Sequence, residues 1–419
     1  MKQRIFTWGL TFVLLLIPLT AFAGLNNIPY GFGFGARGIG IGSAYTALTD
    51  DASCAFFNPA AMAMMENSQI MLSYLYGKPE FEGGPKGDTF TFDEANEVVQ
   101  TNLVIKLNSL LKSKWPVALG VNISLDDNMN AFIRFNDLQY AEGHYSRYGV
   151  SSFTLNGALG FKVFNWLYLG GGVLTTLHTK NDMFLRTDMS GNTNNEGMAV
   201  TVDLRGAPVA ALLLHFEPID LGLTYHGATH GQFDPIVVGA SAQVGESPLA
   251  DLPMTLMFKD SVHPPRAAFG FAWRALDWFT LHSDIVWYNY EQVQDQMGEH
   301  DLARAGLDID LVNIWVPHVG LEFEPFEYFF LRTGYGYEPN PFDKPGSNGN
   351  VILDNDKHMV SAGVGYDWQD PVLLAFPVRF DAAYFMHYLV ENEFETSDGI
   401  EYESSGIMNG GVFSMTLRF

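Results

Sequence analysis

The last nine residues, 411–419, read GVFSMTLRF and alternate between two kinds of side chain. From Phe413 onward every second position is apolar, namely Phe413, Met415, Leu417 and Phe419, and the positions between them, Ser414, Thr416 and Arg418, are polar. A period of two is the spacing of a β-strand, whose successive side chains point to opposite faces. The chain therefore ends in a predicted strand with one apolar and one polar face.

The same alternation recurs upstream, and charged residues keep to one face. In 378–390, Phe380 and Tyr384 oppose Arg379, Asp381 and His387, and 279–287 shows the same arrangement. One-sided charge fits a wall between lipid and a lumen, because a charge facing hydrocarbon costs roughly 2–4 kcal/mol at mid-membrane. A soluble β-sandwich would also alternate, but the length of these stretches favours a barrel.

The N-terminus carries an export signal. Lys2 and Arg4 precede an apolar stretch, 6–19, and Ala21-Phe22-Ala23 is a cleavage site, so residues 1–23 are predicted to be a secretory signal peptide. Beyond it no apolar run reaches the roughly 18–20 residues of a membrane helix. With 33 Phe, 18 Tyr, 8 Trp, 42 Gly and 17% charged residues, the exported chain is predicted to be an all-β outer-membrane protein. A single cysteine excludes an internal disulfide framework.

Short and long polar connections alternate along residues 68–419, as turns and loops do in a transmembrane barrel. They predict about fourteen antiparallel strands, near 68–79, 115–125, 129–142, 150–164, 166–187, 199–216, 219–240, 253–275, 277–293, 312–324, 328–340, 357–369, 376–395 and 406–419. The stretches 115–125 and 129–142 could instead form one long strand, which would break the even count.

Residues 24–67 precede the first predicted strand and contain GFGFGARGIGIGSAYTALTDDASCAFFNPAAMA at 31–63. Gly33, Gly35 and Gly38 match a dinucleotide fingerprint, but that motif needs a preceding strand in a βαβ unit, and here a signal peptide precedes it. We interpret the stretch as a tightly turning, closely packed segment. Asn58-Pro59 predicts a turn, and a short helical piece is expected over 60–65. In a wide barrel such a segment fits inside the lumen as a plug.

This stretch resembles the N-terminal hatch of the FadL/TodX family of outer-membrane transporters of hydrophobic compounds. The matching residues are Gly33, Gly35, Arg37, Gly38, Asn58, Pro59 and Ala60, and the resemblance continues along 208–226, 264–290 and 316–342. It implies a fourteen-stranded barrel, 68–419, plugged by a hatch, 24–67. It also implies passive uptake of long-chain fatty acids or hydrocarbons, with no enzymatic activity and no cofactor.

Candidate ligand-binding residues occupy predicted lumenal faces. Four arginines could each clamp a carboxylate through two parallel hydrogen bonds: Arg205, Arg266, Arg332 and Arg379. They could equally pair with lumenal carboxylates that stabilise the barrel or hold the plug. Phe385 shares a face with charged residues, where it either meets the ligand or packs against the hatch.

Residues 93–112 stand apart from the strand pattern. Val99, Leu103 and Leu107 recur at helical spacing, and Asp93 is a possible cap. They predict a helix in the first extracellular loop. Its apolar face could receive a ligand, or it could simply pack across the barrel mouth.

The net charge of −24, concentrated in loops, excludes nucleic acid as a partner. The acidic loops either bridge divalent cations at lipopolysaccharide or are ordinary solvated loops. No catalytic set and no metal site is predicted. We expect a monomer in the bacterial outer membrane, in contact with lipid and lipopolysaccharide. Terminal Phe419 resembles the signal read by the barrel assembly machinery.

One alternative to transport remains open. Distant relatives with similar glycine-rich starts serve protein secretion or surface attachment, so the chain could be an accessory barrel. An apolar, ligand-occupied lumen favours transport, whereas stable association with a secretion partner favours the accessory role.

Overall fold

The computed structural model describes residues 33–48, 50–87, 89–92, 95–108, 116–126, 130–135, 144–149, 152–187, 193–228, 236–244, 247–258, 264–292, 310–344, 355–371, 376–395, 399 and 401–419. The predicted signal peptide and residues 24–32 of the predicted hatch lie outside them. No helix in these ranges is long and apolar enough to cross a membrane.

Fourteen antiparallel strands form a closed barrel. They are β1 (Gln69–Pro85), β2 (Asn96–Lys106), β3 (Val117–Asp126), β4 (Ser152–Phe164), β5 (Leu167–Thr187), β6 (Thr193–Phe216), β7 (Ile219–His226), β8 (Arg266–Leu276), β9 (Phe279–Tyr288), β10 (Ile314–Phe326), β11 (Phe329–Glu338), β12 (Lys357–Trp368), β13 (Val378–Glu395) and β14 (Glu401–Arg418). Each strand pairs with the next in this order. The ring closes where β1 pairs with β14, from Gln69 opposite Arg418 to Pro85 opposite Tyr402.

The predicted alternation of inner and outer faces is confirmed. In β7, Asp220, Thr224 and His226 are buried inside the barrel, whereas Leu223 and Tyr225 are exposed on its outer wall. The same holds in β13, where Arg379 and Asp381 are buried and Tyr384 is exposed. Polar groups therefore line the interior and apolar groups face outward, as a strand in lipid requires.

Aromatic side chains gather on the outer wall near both ends of the strands. At the short-turn end, the rings of Phe164, Trp166 and Phe216 stack in a row, with centroids 5.6 and 6.0 Å apart. Toward the long-loop end, the rings of Trp287 and Trp315 lie 6.4 Å apart. Two such belts flanking an apolar band are typical of transmembrane barrels.

The helix predicted for 93–112 is wrong, because residues 96–106 form barrel strand β2. Val98, Gln100, Asn102 and Val104 are completely buried on its inner face. Val99 and Leu103 are four residues apart, which is close to one helical turn but is also an even number. A spacing of four therefore also places residues on one strand face, here the outer one. Leu107 follows the strand, and its N–H donates to the Val117 carbonyl (2.9 Å).

The strand predicted at 129–142 is also wrong. Asn130–Phe135 pairs with His144–Gly149 in a hairpin outside the barrel ring, and its residues 133–135 pair with Ser247–Phe258. Ser247–Phe258 also pairs with Ile236–Val244, so the predicted strand 219–240 leaves the barrel at His226. Short strands occur at Phe90–Phe92, which pairs with β1, and at Asp310–Leu311, which pairs with Phe342–Lys344.

Residues 33–65, called here the inner segment, are buried against the inward faces of the strands. The segment contains helices α1 (Gly35–Gly40) and α2 (Cys54–Phe57) and a 3-10 helix (Pro59–Ala63). Its backbone bonds to opposite walls: the Ala36 N–H donates to Ser414 Oγ (2.7 Å) and the Thr46 N–H to Asp284 Oδ2 (2.8 Å). The turn expected at Asn58-Pro59 and the helical piece expected over 60–65 are confirmed by the 3-10 helix at Pro59–Ala63.

Glycine permits this close approach of backbone to wall. Gly42 has a φ of +67°, a left-handed conformation that favours glycine. A Cβ at Gly334 of β11 would overlap the Gly42 backbone, so a side chain at that wall position would push the segment away.

Candidate functional site

A buried ion network ties the inner segment to one side of the barrel. Arg37 of α1 donates two hydrogen bonds to Glu322 of β10, from Nε to Oε2 (2.9 Å) and from Nη2 to Oε1 (2.8 Å). Arg332 of β11 donates from Nε to the same carboxylate (2.5 Å) and from Nη1 to Asp381 Oδ1 (2.8 Å). Arg379 of β13 completes the network through its Nε contact with Asp381 Oδ2 (3.1 Å).

The network brings together three predicted site residues, Arg37, Arg332 and Arg379. Arg37 also forms an ion pair with Asp50, so three guanidinium groups meet three carboxylates. Buried charges are tolerated when paired and hydrogen-bonded in this way. The described contacts of these arginines therefore match the alternative in which they hold the barrel and the inner segment.

A row of amides holds the inner segment to the opposite wall. Asn102, Asn122 and Asn156 lie side by side on β2, β3 and β4, and each amide group bonds to the next. Asn122 and Asn156 also donate to the carbonyls of Ala52 and Ala55. The sequence analysis missed this row. Its signal was an asparagine at an inward position in three successive strands.

The predicted hatch residues make specific local contacts. The Asn58 side chain accepts a hydrogen bond from the Ala60 N–H (3.1 Å) and donates one to the Thr46 carbonyl (2.8 Å). Pro59 begins the 3-10 helix, where a missing N–H is harmless. Gln100 accepts from the Gly35 N–H (3.1 Å) and donates to the Gly33 carbonyl (3.0 Å). Burial raises the pKa of the Tyr45 phenol, so its hydroxyl stays protonated and donates to Asp51 Oδ2 (2.9 Å).

A cavity of about 30 Å³ lies between the inner segment and strands β8–β12. Its lining comes from Gly33, Ser43, Thr46, Phe57, Arg266, Ala268, Asp284, Val286, Tyr288, Val316, His318, Glu338 and Met359. Arg266 begins β8, and Tyr288 and Glu338 end β9 and β11. The cavity therefore lies on the long-loop side of the inner segment.

One part of the cavity wall is apolar, while seven of its thirteen lining residues, including Arg266, are polar or charged. Ala268, Val286, Ile314, Val316 and Met359 form one buried cluster, and Tyr288 and Tyr290 pack against it. The Arg266 Nε donates to His226 Nδ1 (2.8 Å), and its guanidinium carbon lies 4.8 Å from the Phe56 ring centroid. The cavity therefore combines one apolar patch, the kind of contact surface found in small-molecule sites, with several polar groups.

Among the described residues, Phe385 and the three residues of the predicted loop helix do not line this cavity. Phe385 of β13, the strand next to β12, packs with Ala36 and Ile39 of α1 and does not line the cavity. Arg205 belongs to β6, but its side chain lies outside the described residues. Val99 and Leu103 face outward from β2, and Leu107 follows it, so none of the three contributes to the mouth as predicted. Among the residues that the structure describes, no three His, Cys, Asp or Glu side chains are placed to hold a metal ion.

The sequence matches a known protein family and a characterised relative. The sequence model of one family, described as outer membrane protein transport protein (OMPP1/FadL/TodX), matches residues 34–410. The chain belongs to this FadL/TodX family. Alkane uptake protein A of Marinobacter nauticus is 22% identical over an alignment of 424 positions, which spans 95% of this chain and 92% of that relative.

Solved structures of the same fold agree. A Pseudomonas aeruginosa FadL homologue superposes with a TM-score of 0.62 at 15% identity, over 96% of this chain and 99% of the other. The Pseudomonas putida toluene transporter TodX gives 0.60 at 14% identity, over 93% and 99%. As a member of the FadL/TodX family, the chain is a transport protein for hydrophobic compounds in the bacterial outer membrane, not an enzyme.

Proposed function

We propose that the transported compound is a neutral hydrocarbon, which binds in the cavity on the long-loop side of the inner segment. The observation that carries this proposal is that the arginines of the ion network are already paired with carboxylates of the protein. Arg37, Arg332 and Arg379 are each bound to carboxylates of the protein itself. A fatty-acid carboxylate would have to displace one of these partners, whereas a hydrocarbon makes no such demand.

The charges around the cavity support the same choice. Arg266 shares the lining with Asp284 and Glu338, so an incoming carboxylate would meet two acidic side chains as well as one basic one. The apolar cluster of Val286, Val316 and their neighbours provides the contact surface that a hydrocarbon needs. Relatives named for alkane uptake and toluene transport are consistent with a hydrocarbon cargo.

The inner segment is proposed to act as the plug, together with the rest of residues 24–67. It bonds to strands on several sides of the barrel, including β6, β9 and β14. The cavity of about 30 Å³ has room for only one or two water molecules. Cargo binding therefore requires part of the plug to move.

Uptake assays separate the two cargo classes. A bacterial host lacking its own transporters, supplied with this protein, is expected to take up a labelled alkane faster than the empty host, with no gain for the fatty acid of equal chain length. Val286→Asn should slow alkane uptake because it places an amide in the apolar wall. Ile285→Ala, on the outer face of the same strand, is the matched control.

Solvent extraction of the purified barrel followed by mass spectrometry gives an independent reading. A stoichiometric fatty acid, or equal uptake of both compounds, would disprove the neutral-cargo proposal. An empty lumen that stays empty after incubation with both classes would favour the accessory role instead.

Assembly as a monomer through the C-terminal signal is also proposed. The Phe419 backbone exchanges hydrogen bonds with Ser68 across the β1–β14 seam, and its side chain remains partly exposed. Phe419→Ala should lower the amount of folded barrel in the outer membrane, and native mass spectrometry should report one chain. An unchanged yield would exclude recognition of Phe419 by the assembly machinery.

A further inference from the structure

The inner segment meets the barrel through charged, amide and apolar contacts. Against β10, β11 and β13 it is held by the ion network, in which Arg37 and Arg332 share Glu322. An apolar molecule passing there would separate buried charges without offering them any partner. This boundary is therefore a poor path for a hydrocarbon.

The apolar contacts come from two groups of side chains. Phe34, Ile41, Tyr45, Phe56 and Phe57 form a cluster in the centre of the inner segment. Cys54, Met62, Met65 and Met71, called here the methionine cluster, belong to a second apolar group that packs on Tyr168 and Leu213. Tyr168 is the second residue of β5, and Leu213 lies near the end of β6, so the methionine cluster lies at the short-turn end.

Helix α2 connects the two groups. Its Cys54 and Ala55 belong to the apolar group at the short-turn end, and its Phe56 and Phe57 belong to the central cluster. Methionine is unbranched and fills irregular spaces, so a methionine-rich region can rearrange around a passing apolar molecule more easily than one of β-branched residues.

Phe57 stands where the cavity meets the central cluster. It lines the cavity, and its ring centroid lies 5.4 Å from that of Tyr45 and 5.5 Å from that of Phe56, both in edge-to-face contact. A Cβ at Gly33 would overlap the tip of the Phe57 ring, and one at Gly38 would lie 3.1 Å from it. The two glycines therefore leave a slot that the ring fills, closing the cavity on the side of the inner segment.

We propose that Phe57 is the gate of the transport route and that cargo passes from the cavity along α2 to the methionine cluster, avoiding the ion network. The proposal rests on the cavity as the binding place of an apolar cargo. Movement of one aromatic ring out of its glycine slot opens the cavity toward the methionine cluster, while Arg37 and Glu322 remain paired.

Substitutions that change the size of the side chain at position 57 test the route. Phe57→Ala should raise uptake of branched or cyclic hydrocarbons several-fold relative to a linear alkane, because the opening is wider. Phe57→Trp should lower uptake of all of them. Phe413→Ala and Phe413→Trp change the same residue type on the outer wall and should leave uptake unchanged. Unchanged rate and selectivity in folded Phe57→Ala would overturn the proposal, even if the tryptophan variant fails to fold.

Chemical labelling of Cys54 tests the proposed route independently of the proposed cargo. An N-alkyl maleimide should react faster with Cys54 in Phe57→Ala than in the wild type, with no change in Phe413→Ala. Equal labelling rates together with intact alkane uptake would overturn the route and leave the cargo proposal standing. Faster labelling in a protein that takes up no hydrocarbon would support the gate and overturn the cargo proposal.

Discussion

Glu322 is the residue on which the interior charges depend, because two arginines share it. Arg37 holds both of its oxygens, and Arg332 binds Oε2 (2.5 Å). Removing Arg37 leaves Glu322 with Arg332 as a partner. Removing Glu322 leaves the three guanidinium groups of the network with two carboxylates, Asp50 and Asp381. The two losses are therefore not equivalent.

Glu322→Gln should destabilise the barrel more than Arg37→Gln. Breaking a buried pair so that a charge loses its partner costs about 3–5 kcal/mol. The glutamine at 322 leaves one excess cation inside the barrel, because Asp50 and Asp381 are then the only carboxylates of the network. Arg37→Gln instead leaves Asp50 without its partner, and the Asp50 side chain is exposed to water. Thermal unfolding of the detergent-solubilised protein measures the difference. Equal loss of stability in both variants would show that Arg332 does not depend on Glu322.

Cys54 should resist charged thiol reagents in the folded protein. It is fully buried in α2, with its Sγ 3.4 Å from Met65 Sδ, and burial raises the pKa of its thiol, which lowers the fraction of reactive thiolate near neutral pH. A sulfonated maleimide at pH 7 should leave Cys54 unmodified until the barrel is denatured, as mass spectrometry would show. Rapid labelling of the native barrel would indicate that α2 is open to water.

The arginine positions could be predicted from sequence, but their partners could not. Arg332 and Arg379 occupy alternate positions opposite apolar residues, so the period of two alone places them inside. The choice of Glu322 or a ligand as partner depends on strand register and on where Arg37 of the inner segment lies. These contacts link residues 285 positions apart in sequence, and no local pattern specifies them.

At the level of elements, β2 shows how a helical spacing can mislead. Residues 99, 103 and 107 fit a helix and also fall on one face of a strand. The inner face distinguishes the two, since Gln100 bonds to the inner segment and Asn102 bonds to Asn122 of the neighbouring strand β3. Those partners lie elsewhere in the chain, so the 93–112 stretch read alone favoured the wrong element.

Substitution by arginine distinguishes a strand from a helix at this position. Leu103 faces outward within β2, three residues before its end and opposite Ile70 and Val121. Leu103→Arg should therefore destabilise the barrel, by up to the roughly 2–4 kcal/mol of a charge at mid-membrane. Leu107→Arg is the matched control, because it follows the strand at the short-turn end and should cost about 0–1 kcal/mol. Folded fractions read from heat-dependent gel mobility compare them. A helix at the mouth would make the two variants behave alike.

The close packing of the inner segment could be predicted from its sequence, but its individual contacts could not. Its glycines and the Asn58-Pro59-Ala60 turn indicated close packing without side chains, and the structure places Gly42 against Gly334 in that manner. The cavity arises only when the segment meets β8–β12, and the Phe57 slot only when Gly33 and Gly38 fold back against Phe57. They depend on the three-dimensional path of the chain rather than on any motif.

At the scale of the whole molecule, the predicted number of strands is right although two assignments are wrong. The strand expected at 129–142 lies outside the ring, and β2 takes its place in the count. Closure explains why the total survives: β1 and β14 pair as antiparallel neighbours, which requires an even number of alternating strands. The ring is fixed by this global condition, while individual boundaries depend on contacts between distant strands.

Closure also fixes which connections share a side of the membrane, and this can be tested in cells. Gly399 lies between β13 and β14 at the long-loop end, and Asp370 between β12 and β13 at the short-turn end; both are exposed. Long loops of outer-membrane barrels face the exterior and short turns face the periplasm. An epitope inserted after Gly399 should therefore bind antibody on intact cells, whereas one inserted after Asp370 should bind only after the outer membrane is permeabilised. The reverse pattern would place the cavity on the periplasmic side of the inner segment and make it an exit site rather than the first binding place of the cargo.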